Sequence, residues 1–174
     1  RGEPAMSKAK VSVERVVSNL KEISNTWVTA LMASFVGFFV GILPAAGATP
    51  GSLMSYGFAK TYSKTPEEFG KGKIDGVVAP EAANNAASTG AMLPMLTLGI
   101  PGSPTTAILL GGMVIWGLVP GPMLFIEQEE FVWGLIASLY AANLFAAVIN
   151  IGFIPMFLWM LKMPFSILAP IIFV

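Results

Sequence analysis

Three long stretches without a charged residue constrain this chain more than any other feature of its sequence. They cover residues 23–59, 82–126 and 131–161. A helix that crosses a bilayer needs roughly 20 mostly apolar residues, so each stretch is long enough for at least one crossing. Only 11% of the 174 residues are charged and 55% are hydrophobic, whereas soluble domains carry about 25% charged residues. A chain this short cannot bury such a composition in a soluble core, so we predict an all-α, polytopic membrane protein.

Composition also excludes several classes of function. The net charge is zero, which gives no indication of a nucleic-acid partner. The chain has no Cys and no His, so thiolate or imidazole metal sites and His-based catalysis are not possible within it. Its one Asp, Asp75, cannot form the paired carboxylates of an aspartyl protease. We therefore predict no enzyme activity, no catalytic residue, no cofactor and no metal beyond a possible Na⁺.

Charge also divides the chain into parts. Residues 1–26 alternate charged residues with Val and Leu at helical spacing, which predicts an amphipathic helix on the membrane surface or a solvated linker helix. Residues 27–174 are predicted to form a transmembrane half-domain with a polar connection at 60–81. Lys and Arg are concentrated at the N-terminus and in this connection, which places both in the cytoplasm and the acidic loop at 127–130 outside. The apolar C-terminal end is typical of an internal fragment.

Pro and Gly interrupt the uncharged stretches at residues 44–51, 100–104 and 119–122, where a regular helix cannot continue. The orientation requires residues 27–59 to enter and return to one side, as a hairpin or as two short spans. Residues 82–126 would measure about 67 Å as one helix at 1.5 Å per residue, so we expect a re-entrant part and a span. The predicted fold class therefore includes broken or re-entrant helices.

The first two interruptions contain hydroxyl residues and glycines and are the predicted substrate site. Each precedes a helix whose free N–H groups and positive dipole end favour a carboxylate. Each also follows a helix whose free carbonyl groups suit Na⁺. The alternative is a kink that only lets helices pack closely. The predicted substrate-binding residues are Gly47, Thr49, Gly102, Ser103, Thr105 and Thr106.

A polar cluster at the entry of the second uncharged stretch is the predicted cation site. Asn84 and Asn85 are costly there unless their amides are satisfied, and amide oxygens can coordinate a cation. We predict that they bind it together with the carbonyl groups near Thr97 and Gly99. The alternative is a helix cap and hydrogen bonds between helices. Glu81 fits three roles: a helix-start acid, a proton or cation site, or an interfacial residue.

Five segments follow one another in a recognisable order. They are GILPAAGAT at 41–49, SKTPEEFGKG at 63–72, APEAANNA at 79–86, LTLGIPGSPTTA at 96–107 and GLVPGP at 117–122. These segments resemble the large permease subunit of the tripartite tricarboxylate transporter family. The resemblance is strong over residues 41–125 and rests on hydropathy elsewhere. One departure is Ala45, where the family usually has Gly, and its methyl group narrows the approach of a ligand to the backbone.

The resemblance implies properties that composition does not show. The family's subunit has about twelve spans in two related halves, so this chain would be the later half of an inverted-repeat transporter. Family members import citrate-like or other carboxylates, coupled to Na⁺ or H⁺. They act with a small four-span membrane subunit and a periplasmic substrate-binding protein, in the bacterial inner membrane. The function predicted is alternating-access import, and the alternative is a channel or structural membrane subunit without coupled transport.

Overall fold

The computed structural model describes residues 24–161, with side chains to residue 157, and every regular element in this part is helical. The predicted all-α fold is confirmed. The chain divides after Val132 into two units, and of residues 133–174 only the helical part to 161 is described. The predicted N-terminal amphipathic helix lies almost wholly outside the described residues. The helices are α1 (Trp27–Ile42), α2 (Ala48–Thr61), α3 (Asp75–Gly90), α4 (Met92–Leu98), α5 (Pro104–Ile115), α6 (Leu124–Glu127) and α7 (Glu129–Leu161), with a 3₁₀ turn at Pro66–Glu68.

Helices α1 and α3 run parallel and pack through small residues spaced four apart. Gly37 lies against Ala83 and Gly41 against Ala87, so the paired positions differ by 46 in number. The same register brings the Thr29 hydroxyl to the Asp75 carboxylate, to which it donates a hydrogen bond. A Cβ added at Gly37 or Gly41 would lie 2.2 Å from the facing carbonyl oxygen. These glycines therefore allow the two backbones to approach as closely as they do.

Helix α2 returns antiparallel along α1 and α3 and completes the group of three helices. Its buried positions, Gly51, Ser55 and Ala59, are again small and four apart. The Ser55 hydroxyl donates to the Ala79 carbonyl at 3.1 Å, and the Ser52 hydroxyl donates to the Pro80 carbonyl at 3.0 Å. Residues 27–59 thus form two short antiparallel helices, an arrangement that fits both of the predicted alternatives. At 1.5 Å per residue its arms are about 24 Å and 21 Å long, shorter than the roughly 30 Å hydrocarbon core of a bilayer.

The polar connection between α2 and α3 is held by Lys73. Its ammonium group donates to the hydroxyls of Ser63 at 2.7 Å and Thr65 at 2.6 Å. It also lies 4.0 Å from a Glu68 carboxylate oxygen and 5.4 Å from the centre of the Phe69 ring. The 3₁₀ turn begins after Thr65 with Pro66 in its first position, and the Thr65 hydroxyl makes no capping hydrogen bond but donates to the Glu68 carboxylate at 2.7 Å. The segment between the two α-helices is residues 62–74, because α2 extends through Thr61 and α3 begins at Asp75.

The first interruption is shorter than its sequence predicts. Helix α2 begins at Ala48, so Pro50 and Gly51 lie in its first turn. Proline is tolerated there because the first N–H groups of a helix have no intrahelical partner. The second interruption separates α4 from α5 as predicted, and the third separates α5 from α6.

Helix α7 is the longest element, at 33 residues. Its segment Glu129–Phe157 is, among the described residues, the one helix long and apolar enough to cross a membrane by length and composition. Asn143 and Asn150 lie on it, and each amide donates to the carbonyl four residues earlier in α7. Helices α1 and α5 are also apolar, with 16 and 12 residues.

Candidate functional site where the helix breaks meet

The first and second interruptions contact one another. The N–H of Gly47 donates to the carbonyl of Gly102 at 3.2 Å, across 55 positions of sequence. Gly102 is buried, and a Cβ there would lie 2.9 Å from the carbonyl oxygen of Gly41 and from the methyl of Ala91. The close packing of α1 and α3 therefore brings both breaks to the same place. Neither break is an isolated kink.

The N-terminus of α5 is capped by its own side chains. The Ser103 hydroxyl accepts from the N–H of Thr106 at 3.2 Å, and the Thr106 hydroxyl accepts from the N–H of Ser103 at 2.9 Å. This reciprocal pair is a capping box, and it satisfies two donors that a ligand would otherwise meet. Thr106 is only 4% exposed. These two predicted substrate residues therefore build the end of the helix, while Thr105 remains exposed.

The N-terminus of α2, unlike that of α5, has no side-chain cap. Its N-cap is Gly47, which has no side chain, and a φ of 70° there suits glycine. The N–H groups of the first turn thus lack a side-chain cap. Thr49 is exposed beside them, and its hydroxyl has no hydrogen-bond partner among the described residues. Thr105, at the second break, is also exposed, and its hydroxyl has no hydrogen-bond partner among the described residues.

Ala45 has a strained backbone just before this opening. Its φ is 59°, and it is the one non-glycine residue with a positive φ in the described part of the chain. An L-residue in this region costs about 1–2 kcal/mol, a penalty that glycine does not carry. The family usually has Gly where this chain has Ala45, and the backbone geometry at this position favours glycine. Its methyl group is exposed at the break.

The end of α4 is a helix C-terminus, which presents carbonyl acceptors rather than N–H donors, and the third interruption contacts it. Gly99 ends α4 in the left-handed region at φ 70°, and the Thr97 hydroxyl donates to the Leu93 carbonyl at 2.8 Å. The N–H of Gly121, from the third interruption, donates to the Leu96 carbonyl at 2.9 Å. The residue four after Thr97 is Pro101, which has no N–H. The Thr97 carbonyl therefore lacks its helical donor and is one of the acceptors available at this helix end.

The predicted amides lie on the exposed face of α3. Asn84 and Asn85 are in the middle of that helix, so the interpretation of the cluster as a cap is wrong. Glu81 is also not the helix-start acid, because α3 begins six residues earlier at Asp75. No hydrogen bond among the described residues joins these amides to Thr97 or Gly99.

An apolar groove of about 400 Å³ lies between α1 and α3. Its polar atoms come from two hydroxyl residues, and it has no charged side chain. A carboxylate would lose its hydration there without compensation, so the groove does not suit one. It is lined by Leu31, Ser34, Phe35, Phe38, Ala86 and Thr89.

Sequence reasoning did not identify the contacts that bring the breaks together. The signal was present as small residues four apart in α1, α2 and α3, which is the spacing for close helix packing in membranes. It also did not identify the capping pair of Ser103 and Thr106, although proline at the first helical position indicated a helix start. Lys73 gave no sequence signal, because its partners come from a folded loop.

Comparison with known proteins decides the family. The sequence profile of the tripartite tricarboxylate transporter TctA family matches residues 2–174. The chain belongs to that family. The family's name describes transporters of tricarboxylates and a system of three parts, so the family is one of transporters rather than of enzymes. The resemblance stated from the five sequence segments is confirmed.

Two relatives of this TctA-family chain come from Agrobacterium vitis. One, the "uncharacterized 52.8 kDa protein in TAR-I ttuC' 3'region", is 37% identical over 165 residues, which cover 89% of this chain and 33% of the relative. The other, the "uncharacterized protein in TAR-II ttuC' 3'region", is 41% identical over 136 residues, covering 78% and 56%. The chain thus spans between a third and about half of the length of these relatives. No solved structure matches it significantly.

Proposed function

We propose that this chain forms part of a permease that imports small organic carboxylates, citrate-like tri- or dicarboxylates, by alternating access coupled to Na⁺ or H⁺. The observation that carries the proposal is the contact between Gly47 and Gly102, which joins two broken helices at one place. Irregular backbone in a bilayer is tolerated where it lines a polar cavity or is buried in protein. Two such breaks in contact are typical of a transporter binding site.

The substrate carboxylate binds at the N-terminus of α2. This end has a glycine N-cap and no side-chain cap, so its N–H groups and positive dipole end are available to an anion. The hydroxyls of Thr49 and Thr105 donate further hydrogen bonds. Gly47 and Gly102 hold the two breaks together, and Ser103 and Thr106 hold α5 in place through their capping box. The six predicted residues therefore divide into donors and supports.

The coupling cation binds on the exposed face of α3 through Asn84 and Asn85. The carbonyl groups at Thr97 and Gly99 complete its coordination. The permease acts with a small four-span membrane subunit and a periplasmic substrate-binding protein in the bacterial inner membrane. Family membership supports these partners and this location.

Uptake by the full-length transporter, expressed with its two partner proteins, tests the proposal. We expect vesicles to take up a radiolabelled tri- or dicarboxylate and to stop when the Na⁺ and proton gradients are collapsed. Thr49→Val or Asn85→Ala should reduce uptake at least tenfold while the protein remains in the membrane. Ser103→Ala is a weaker test, because it also removes a helix cap worth about 1 kcal/mol.

Two results would contradict the proposal. Uptake that continues without any cation gradient would indicate a channel. Full uptake by both Thr49→Val and Asn85→Ala would remove these residues from the site. Ser138→Ala on α7 is the matched control, since its exposed hydroxyl bonds only to the Leu135 carbonyl, at 2.7 Å, and uptake should be unchanged.

A further inference from the structure

All the lysines of the described part of the chain lie in the polar connection between α2 and α3 or at its border. Lys60 is in the last turn of α2, and Lys64, Lys71 and Lys73 follow before α3 begins. Lys73 pairs with Glu68 at 4.0 Å. Lys60, Lys64 and Lys71 are exposed and make no ion pair within residues 24–157. Three of the four positive charges are therefore left without an acidic partner.

The acids of the same region do not cancel these charges. Glu68 is already paired with Lys73. Asp75 is half-buried and accepts the hydrogen bond of Thr29, so its carboxylate is directed to α1 rather than outward. Glu67 is the exposed acid that remains in the connection, and the three unpaired lysines outnumber it. The outer surface of the connection is therefore positive.

The connection is held in one conformation, so it presents its lysines together. The Lys73 ammonium donates to the hydroxyls of the two residues that flank Lys64, at 2.7 Å and 2.6 Å, and Lys71 lies two positions before Lys73. Phe69 anchors the same loop to α2, because it is only 6% exposed and its ring centre lies 5.5 Å from that of Tyr56. Lys64 and Lys71 are thus carried by one ordered loop that packs on the end of α2.

Exposed aromatic side chains lie at the same end of the helices as this loop. Trp27 opens α1 and is 62% exposed, and Tyr62 follows α2 and is 76% exposed. Because α1 and α2 are antiparallel, both residues lie at one end. The Tyr62 ring stacks on that of Phe58, with ring centres 6.4 Å apart. Trp and Tyr are enriched where a membrane meets water, at the level of the lipid headgroups. The aromatic residues therefore indicate that the lysines lie at headgroup level.

We propose that the polar connection is a binding surface for anionic phospholipids, with Lys60, Lys64 and Lys71 as ligands of the headgroup phosphates. A cluster of four or more Lys or Arg directly beside a membrane helix is typical of such recognition. An acidic protein would also match the lysines, but the exposed Trp27 and Tyr62 at the same end favour lipid. The inference goes beyond carboxylate transport, because it requires only that this end of the helices lies at a membrane surface.

Native mass spectrometry of the purified, delipidated full-length transporter tests this surface, with phosphatidylglycerol added in detergent. We expect phosphatidylglycerol to bind at least tenfold more tightly than phosphatidylcholine, whose headgroup has no net charge. The triple variant Lys60→Gln, Lys64→Gln, Lys71→Gln should lose this preference. Lys71→Gln alone should weaken it about fivefold, which is the effect of one Lys near an anionic surface. The matched control is the triple variant Lys60→Arg, Lys64→Arg, Lys71→Arg, which keeps the charges and should keep the preference.

Equal affinity of the native protein for both lipids overturns the inference, and so does an unchanged preference in the triple Gln variant. An equal loss in the triple Arg variant also overturns it, because charge would then not be the cause. If the triple Gln variant keeps its lipid preference but no longer co-purifies with its partner subunits, the lysines bind protein instead. If that variant does not fold, Lys71→Gln decides, and unchanged affinity there contradicts the inference.

The binding measurement is independent of transport. A transporter that prefers phosphatidylglycerol through these lysines but takes up no carboxylate keeps this surface and contradicts the proposed function. A transporter that takes up carboxylate but shows no lipid preference overturns this surface alone.

Discussion

At the scale of single residues, the two helix N-termini at the meeting breaks differ in what they leave available. Ser103 and Thr106 satisfy each other's backbone N–H groups at the start of α5. Gly47 offers no side chain at the start of α2. The difference follows from one residue type at one position, and it is the reason that we propose the N-terminus of α2 as the anion-binding end. The sequence alone ranked the two breaks equally, because a hydroxyl near a break can serve either as a cap or as a ligand.

The strained residue at the opening gives a prediction about stability. Replacing Ala45 by glycine should raise the free energy of unfolding by about 1 kcal/mol, since its φ of 59° is in the region that glycine adopts freely. Thermal unfolding of the full-length protein in detergent measures this. Ala46→Gly is the control, because Ala46 has no positive φ, and it should lower stability. Equal destabilisation by both variants would show that Ala45 is not strained.

At the scale of elements, small residues four apart decide how α1, α2 and α3 pack. Their side chains contribute little apolar area, so the helices are held by close backbone contact and by hydrogen bonds such as Ser55 to the Ala79 carbonyl. The parallel register of α1 and α3 then brings Gly41 and Ala91 against Gly102. The position of the candidate site is thus a consequence of how these helices pack.

Glycine variants on these helices test the packing. Gly37→Ala places a methyl 2.2 Å from the Ala83 carbonyl oxygen, which forces α1 and α3 apart. We expect a loss of roughly 1–3 kcal/mol in stability, the usual cost of overpacking, and reduced uptake because the breaks separate. Gly57→Ala on α2 is the same change in open space and should be neutral or stabilising by about 0.5–1 kcal/mol. Similar melting temperatures for the two variants would contradict this arrangement.

Much of the element order could be predicted from sequence, because charge-free stretches and Pro/Gly pairs are strong local signals. The all-α class, the return of the chain between α1 and α2, and the second and third interruptions followed from them. Contacts between distant segments were not predictable. Small residues recur every four positions along each helix and therefore allow several packing registers, and the register decides which residue contacts Gly102. The role of Asn84 and Asn85 as a cap was wrong because α3 begins at Asp75, before the uncharged stretch.

At the scale of the whole molecule, many large apolar side chains remain exposed on the described helices. Phe35 is 64% exposed on α1, Ile108 is 79% exposed on α5, and Trp116 is 85% exposed after α5. A soluble protein rarely leaves apolar surface of this extent uncovered. In a membrane transporter, lipid covers such side chains. The polar face of α3 needs water or protein instead.

Labelling of Thr49→Cys in a cysteine-free full-length transporter tests the central claim most directly. The claim is that the break before α2 opens to water and binds the carboxylate. A charged, membrane-impermeant thiol reagent should label Thr49→Cys, and transported carboxylate should slow the labelling at least fivefold. Ile108→Cys, on the exposed apolar side of α5, should not be labelled. No labelling of Thr49→Cys, or labelling at one rate with and without substrate, would contradict the account.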